Sequence, residues 1–265
     1  MADEEQAVSS KKLLCLGIVG GLILIWLGTV NPTVGPLFAA LGGVCAIVWG
    51  SDAIRRVAQY GLGTGVPSIG YLSLGAGVIA ALTGLAIVPM VGNIVFLGPV
   101  FALIIGLILG CIIAVIATKI IGMKIPIMVG CTTELVGAAA LSIVAFSVAI
   151  AGGSLDLLVI LKSVVATGFI ALLFILNTMA IQHPYNACLG PNEYQVRTLK
   201  CAVSCAFLSM IVVGICTIPA GHSAWLLVVI VGLIGWLISF RSFMKASYEA
   251  AASVKWSGLW PKVEL

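Results

Sequence analysis

Long apolar segments recur along this chain and constrain its fold more than any other feature. They lie at 13–30, 34–50, 68–88, 99–118, 132–151, 157–181, 201–219 and 224–240. At about 1.5 Å per residue, a helix of about 20 residues crosses a hydrocarbon core of about 30 Å. The sequence therefore predicts an all-α, polytopic helical membrane protein with about eight transmembrane helices.

The overall composition agrees with a lipid environment. Hydrophobic residues make up 62% of the chain and charged residues 8%, whereas a soluble domain carries roughly 25% charged residues. We predict a polar N-terminal tail (1–12), a transmembrane domain (13–241) and a cytoplasmic C-terminal tail (242–265). This composition therefore excludes a water-soluble globular protein.

The basic residues predict the orientation in the membrane. With the N-terminus inside, one face collects every lysine and arginine except Lys162, namely Lys11, Lys12, Arg55, Arg56, Lys119, Lys124, Arg197, Lys200, Arg241, Lys245, Lys255 and Lys262. The opposite loops hold none, which is the positive-inside pattern. We therefore expect a multi-pass protein of the cell membrane with both termini cytoplasmic. Because the basic residues are scattered among short gaps, we expect lipids and no nucleic acid as partners.

Glycine and proline predict how some of the helices pack. Gly17 with Gly21, and Gly106 with Gly110, have the G-x-x-x-G spacing of helix packing faces. The segment 34–50 contains Pro36, Gly42 and Gly43, so a bent or partial helix is an alternative to a straight one in this segment.

Polar groups at membrane depth are costly and are therefore functional candidates. Glu134 lies one to two turns into the fifth apolar segment, beside Thr132 and Thr133. A carboxylate with hydroxyls is an oxygen-rich set suited to a hard cation such as sodium. The alternative is that Glu134 caps the start of its helix or pairs with Lys124.

Two loops on the basic side could form a cytoplasmic vestibule. The run 60–68 alternates glycines with other residues before a proline, which favours sharp turns and exposed backbone groups. Its candidate residues are Gly61, Gly63, Thr64, Gly65 and Pro67, and those of the run 183–193 are His183 and Asn186. For the first run a plain surface turn is the alternative. For the second, His183 and Cys188 have the spacing of half a zinc site, but a partner-facing coupling loop is the favoured interpretation.

Enzyme and metal sites find little support in the sequence. Cys201 and Cys205 are spaced i, i+4 but have no nearby histidine, so we expect no metal. No nucleophile and base are placed to act together, and we expect no catalytic residue in this chain.

Three loop sequences carry a family resemblance: Trp-Gly-Ser-Asp-Ala-Ile-Arg-Arg-Val-Ala-Gln-Tyr-Gly-Leu-Gly-Thr-Gly-Val-Pro-Ser-Ile-Gly at 49–70, Ile-Gly-Met-Lys-Ile-Pro-Ile-Met at 121–128 and His-Pro-Tyr-Asn-Ala-Cys-Leu-Gly-Pro at 183–191. They closely resemble the C subunit of the tetrahydromethanopterin S-methyltransferase of methanogenic archaea. The match in length and loop order extends over nearly the whole chain.

The resemblance implies a role in methanogenesis. The family's complex moves a methyl group from methyl-tetrahydromethanopterin to coenzyme M through a corrinoid (cobamide) carried by another subunit, and it couples this reaction to sodium export. This chain would bind no cofactor by itself. Its partners would be subunits A, B, D, E, F, G and H, most closely the membrane subunits D and E. The family's proposed sodium carboxylate lies in the E subunit, which counts against an ion role for Glu134.

Three functions are compatible with these sequence features. The chain helps to form the sodium pathway and its cytoplasmic vestibule, or it is a structural scaffold of the complex, or it is a self-sufficient secondary transporter. The last predicts broken helices with matching polar sites in two halves of the chain, and we find no convincing internal repeat in the sequence.

Overall fold

The computed structural model describes residues 8–58, 60, 66–184 and 195–252. Its helices are α1 (Ser10–Leu27), α2 (Gly35–Ala58), α3 (Pro67–Val91), α4 (Val95–Ile120), α5 (Met128–Ile150), α6 (Leu157–Val165), α7 (Phe169–Gln182), α8 (Gln195–Cys216) and α9 (Trp225–Ala252). Seven of these are long and apolar enough to cross a membrane, and α6 with α7 forms an eighth, bent pair. The predicted polytopic helical fold is confirmed.

Hydrogen bonds identify which helix ends meet at one end of the bundle. The Nε2 of Gln195, at the start of α8, donates to the carbonyl of Val8 at 2.8 Å. The Nε2 of Gln182, at the end of α7, donates to the carbonyl of Pro67 at 3.0 Å, where α3 starts. We call the end that holds Val8, Pro67, Gln182 and Gln195 the basic end. Arg55, Arg56 and Lys119 also lie at helix ends on this side.

Other contacts define the opposite end. The indole Nε1 of Trp26, at the end of α1, donates to the carbonyl of Phe96 at 3.0 Å, in the first turn of α4. The ring of His222, just before α9, packs directly on Gly152, just after α5. Helix α9 thus starts at the opposite end and returns to the basic end. Both ends of the described chain lie at the basic end, as eight crossings require.

The sixth apolar segment does not form the straight helix that its hydropathy predicts. Helices α6 and α7 meet at 82° across residues 166–168, and Gly168 has a φ of +79°, which favours glycine. On α7, Asn177 contacts Ser142 and the carbonyl of Ala139. Phe169 lies eight residues, about 12 Å, further toward the opposite end. Helix α7 therefore extends from the opposite end toward the basic end, and α6 turns away from it across the opposite end.

The position of α6 changes the interpretation of Lys162. A straight sixth helix would place this lysine about two turns into the membrane. Instead Ile160 and Val164 are fully buried against the bundle, while Lys162 is exposed on the outer face of α6. Lys162 therefore lies at the membrane surface, where an ammonium group needs no buried partner.

Helices α2 and α5 form the centre of the bundle and are buried along most of their length, whereas few residues of α9 are buried. The bent or partial helix considered for 34–50 is not formed: α2 is continuous over 24 residues. Pro36 stands in its first turn, where proline is tolerated. Gly42 and Gly43 allow close contact with α1 and with the ring of Phe146.

Both G-x-x-x-G pairs lie at helix contacts within the chain. Gly17 packs on Trp49 of α2, and Gly21 lies near the carbonyl of Gly42. Gly106 and Gly110 of α4 pack on the backbone of α5, between Thr132 and Gly137. The short distance between α4 and α5 fixes the first turns of α5, where the candidate carboxylate is found.

Candidate functional site

Glu134 stands in the second turn of α5, near the basic end and against α2. Its Oε2 accepts hydrogen bonds from Arg56 Nη2 at 2.5 Å and from Trp49 Nε1 at 2.9 Å. The side chains of Arg56 and Glu134 are 18% and 19% exposed. Glu134 is thus paired, as one interpretation expected, but its partner is Arg56 and not Lys124, whose side chain is exposed.

A second carboxylate, Asp52, lies one turn before Arg56 on α2. It is fully buried and accepts from Arg55 Nη2 at 3.1 Å and from Arg56 Nε at 3.1 Å. The Nε2 of Gln195 donates to the same Oδ1 atom as Arg55, at 3.2 Å. Helix spacings of three and four residues bring both arginines to this aspartate, and α8 supplies the glutamine.

These residues form one connected set, which we call the charge cluster: Trp49, Asp52, Arg55, Arg56, Glu134 and Gln195. Two guanidinium groups balance two carboxylates, so the cluster is neutral. Removing a charge from water costs several kcal/mol unless it is paired and hydrogen-bonded, and here each charged group has such a partner. Three central elements, α2, α5 and α8, are joined by it.

The amide of Gln195 also ties the start of the described chain to this cluster. Its Oε1 accepts from the backbone nitrogen of Val8 at 3.2 Å, and its Nε2 donates to the carbonyl of Val8 at 2.8 Å. Because the same Nε2 reaches Asp52, a displacement of Val8 or of the start of α8 alters the surroundings of that carboxylate.

The two threonines beside Glu134 have different environments. Thr133 donates its hydroxyl to the carbonyl of Val129 at 2.8 Å, one turn earlier on the same helix. Thr132 is buried and borders a cavity of about 10 Å³ that Gly70 and Leu135 also line. Such a volume holds about one water molecule. This cavity is therefore too small to be an open ion path in the present conformation.

The vestibule candidates are only partly described. Pro67 opens α3, and its carbonyl is held by Gln182. His183 is exposed directly after α7. Gly61, Gly63, Thr64, Gly65 and Asn186 lie outside the described residues.

A larger cavity, of about 410 Å³, lies at the opposite end, among Ile23, Trp26, Leu27, Thr29, Val30 and Phe96. Its lining is almost wholly apolar, and the polar side-chain groups of Thr29 and Trp26 both donate hydrogen bonds to backbone carbonyls. Thr29 donates to the carbonyl of Trp26 at 2.8 Å, and Trp26 donates to Phe96. It offers room for apolar groups and no means of holding an ion.

Sequence reasoning identified Glu134 but missed the rest of the charge cluster as a site. The apolar segment 34–50 ends before Asp52, so hydropathy places Asp52, Arg55 and Arg56 in a loop. Helix α2 continues to Ala58 and buries Asp52 and Arg55. One signal was present: an acidic residue followed at three and four positions by arginines is the spacing of helical ion pairs.

Comparison with known proteins gives a consistent result. A family model described as the C subunit of "Tetrahydromethanopterin S-methyltransferase" matches residues 1–264. The C subunit of Methanothermobacter thermautotrophicus is 57% identical over 258 residues, which are 97% of this chain and 95% of that protein. The counterpart from Methanothermobacter marburgensis is 58% identical over the same shares. That of Methanopyrus kandleri is 39% identical over 263 residues, 97% and 91% of the two chains.

Proposed function

This chain belongs to the C-subunit family of tetrahydromethanopterin S-methyltransferase, and from this premise we propose that it helps to couple methyl transfer to sodium export. In the proposed reaction a methyl group passes from methyl-tetrahydromethanopterin to coenzyme M, through a corrinoid on another subunit. The whole-length family match and the eight-crossing helical fold support a membrane component of such a complex.

In this proposal, the chain contributes to the ion path at the basic end. The observation that carries it is a carboxylate, Glu134, that lies within a membrane-crossing helix and is nevertheless 19% exposed. Carboxylate oxygens are suitable ligands for a hard cation that has lost water. The basic end faces the cytoplasm by the positive-inside rule. The loops around Gly63 and Asn186 would meet the cytoplasmic subunits there, and subunits D and E would pack beside the helices.

The experiment replaces the carboxylate without changing its shape. Glu134→Gln is introduced into the assembled complex, and uptake of radioactive sodium into inverted vesicles is measured during methyl transfer. We expect less sodium moved per methyl group transferred. Glu249→Gln is the matched control, because Glu249 is an exposed carboxylate on α9 whose contact with Lys245 is a loose surface pair at 3.9 Å. A normal sodium-to-methyl ratio in Glu134→Gln would reject the ion role.

One observation favours a second candidate, a structural scaffold. Glu134 and Asp52 are both neutralised by arginines, and the contacts of the charge cluster join α2, α5 and α8. Breaking a buried ion pair by removing one partner costs about 3–5 kcal/mol. The scaffold therefore predicts that Glu134→Gln lowers the unfolding temperature of the complex while the sodium-to-methyl ratio stays normal.

A further inference from the structure

Arg56 holds two carboxylates at the same time, and its two contacts use different nitrogens. Its Nε donates to Asp52 Oδ2 at 3.1 Å, and its Nη2 donates to Glu134 Oε2 at 2.5 Å. Asp52 lies one turn away on the same helix, whereas Glu134 belongs to α5. A modest rotation of the guanidinium can therefore weaken one contact while it strengthens the other.

The two carboxylates depend on Arg56 to different degrees. Asp52 also has the cation Arg55 at 3.1 Å and the amide of Gln195 at 3.2 Å. Among the described residues, the other hydrogen bond to Glu134 comes from the neutral indole of Trp49. If Arg56 withdraws toward Asp52, Glu134 loses its counter-charge, and a largely buried carboxylate without one is costly. A small cation would restore the balance.

We propose that Arg56 is a tethered cation that competes with the transported sodium ion for Glu134, and that Asp52 holds Arg56 when the ion is bound. This inference rests on the proposed ion role of Glu134. Binding of the two cations to one carboxylate is linked reciprocally: sodium at Glu134 pushes Arg56 toward Asp52, and a firmer hold of Asp52 on Arg56 raises sodium affinity. Gln195 contacts Asp52 and Val8, so rearrangement at the basic end alters the competition.

Two substitutions in the same cluster should shift sodium affinity in opposite directions. In Arg56→Gln the competitor is lost, so the sodium concentration that half-saturates ion uptake should fall by roughly fivefold or more, the lower range of typical coupling. In Asp52→Asn the retaining charge is lost, Arg56 stays on Glu134, and the half-saturating concentration should rise. Both are measured on the reconstituted complex, with sodium uptake driven by methyl transfer.

A merely structural role would not produce this pattern, since both changes weaken the same cluster and would shift the sodium response in one direction or leave it unchanged. Either of those results overturns the proposal. Arg241→Gln, on the exposed surface of α9, is the control for a lost arginine. If Arg56→Gln fails to assemble, Arg56→Lys serves instead, because its flexible, strongly hydrated ammonium lacks the planar fork with which the guanidinium holds Glu134 and should compete less well for it. It should also lower the half-saturating concentration, and no change would contradict the competition.

The test separates this inference from the function on which it rests. If Glu134→Gln changes the sodium-to-methyl ratio but Arg56→Gln leaves the half-saturating concentration unchanged, the ion role survives and the competition is wrong. If Glu134→Gln leaves sodium transport normal, both are rejected.

Discussion

At Glu134, the partner is decided by contacts between helices that are far apart in sequence. Lys124 is ten positions away and was the natural candidate along the chain, whereas Arg56 is separated from Glu134 by 78 residues. The side chains meet because α2 and α5 pack together at the centre of the bundle. Sequence spacing identifies a costly buried carboxylate, but it cannot identify which distant cation neutralises it.

Gly84, on α3, lies directly against the backbone of the neighbouring helix α4. A Cβ at this position would overlap the backbone nitrogen and Cα of Ala102 on α4. Because backbone atoms cannot rotate away as a side chain does, we expect Gly84→Ala to lower the free energy of unfolding by about 1–3 kcal/mol. Unfolding of the protein in mixed detergent micelles measures this.

The same helix offers the control. Gly75, also on α3, has no atom within 4 Å of the position that a Cβ would occupy. Gly75→Ala should be neutral, or stabilising by up to about 1 kcal/mol, since alanine favours helix more than glycine does. Equal effects of the two substitutions would show that α3 and α4 are not in close contact at Gly84.

At the scale of elements, the bend between α6 and α7 is the main departure from prediction. Hydropathy over 157–181 is continuous and gives no sign of an 82° turn. Glycine at 168 permits the left-handed backbone that the turn needs, but glycines are common in this chain, and only the structure shows which one is used. The break lies at the opposite end of the bundle and not at mid-membrane. This position gives no support to the paired broken helices of a secondary transporter.

The bend predicts a strained substitution. Gly168→Ala should destabilise the protein by roughly 1–2 kcal/mol, because its φ of +79° is unfavourable for a residue with a Cβ. Space is not the reason, since nothing lies within 4 Å of that position. Gly130→Ala is the matched control, as Gly130 is equally open but is helical. Micelle unfolding that gives the same result for both variants would contradict the bend.

At the scale of the whole molecule, the fold places Lys124 and Lys162 at opposite ends of the bundle. Each is exposed, so Lys124→Cys and Lys162→Cys are a matched pair for labelling with a membrane-impermeant maleimide. We expect Lys162→Cys to react in intact cells above the level of the unchanged chain, and Lys124→Cys only after permeabilisation. The reverse pattern would invert the orientation, and reaction of both in intact cells would remove one crossing.

The sequence by itself determined the polytopic helical membrane fold with about eight apolar segments, the side on which the cations gather and the family. These properties depend on short stretches of sequence. Insertion of a helix into lipid depends on the hydropathy of about 20 consecutive residues, and orientation depends on the number of lysines and arginines in each loop. It also singled out Glu134 as a candidate, because a carboxylate in an apolar segment is conspicuous.

Only the tertiary structure decided that α2 extends to Ala58, that α6 lies across the end of the bundle, and that Arg56 joins Asp52 to Glu134. Helix ends and charge partners depend on neighbours from other helices, which stabilise a polar residue that lipid alone would exclude. For that reason hydropathy predicts a loop for the charged residues Asp52, Arg55 and Arg56, whereas in the folded chain they belong to α2 and form the centre of the candidate site.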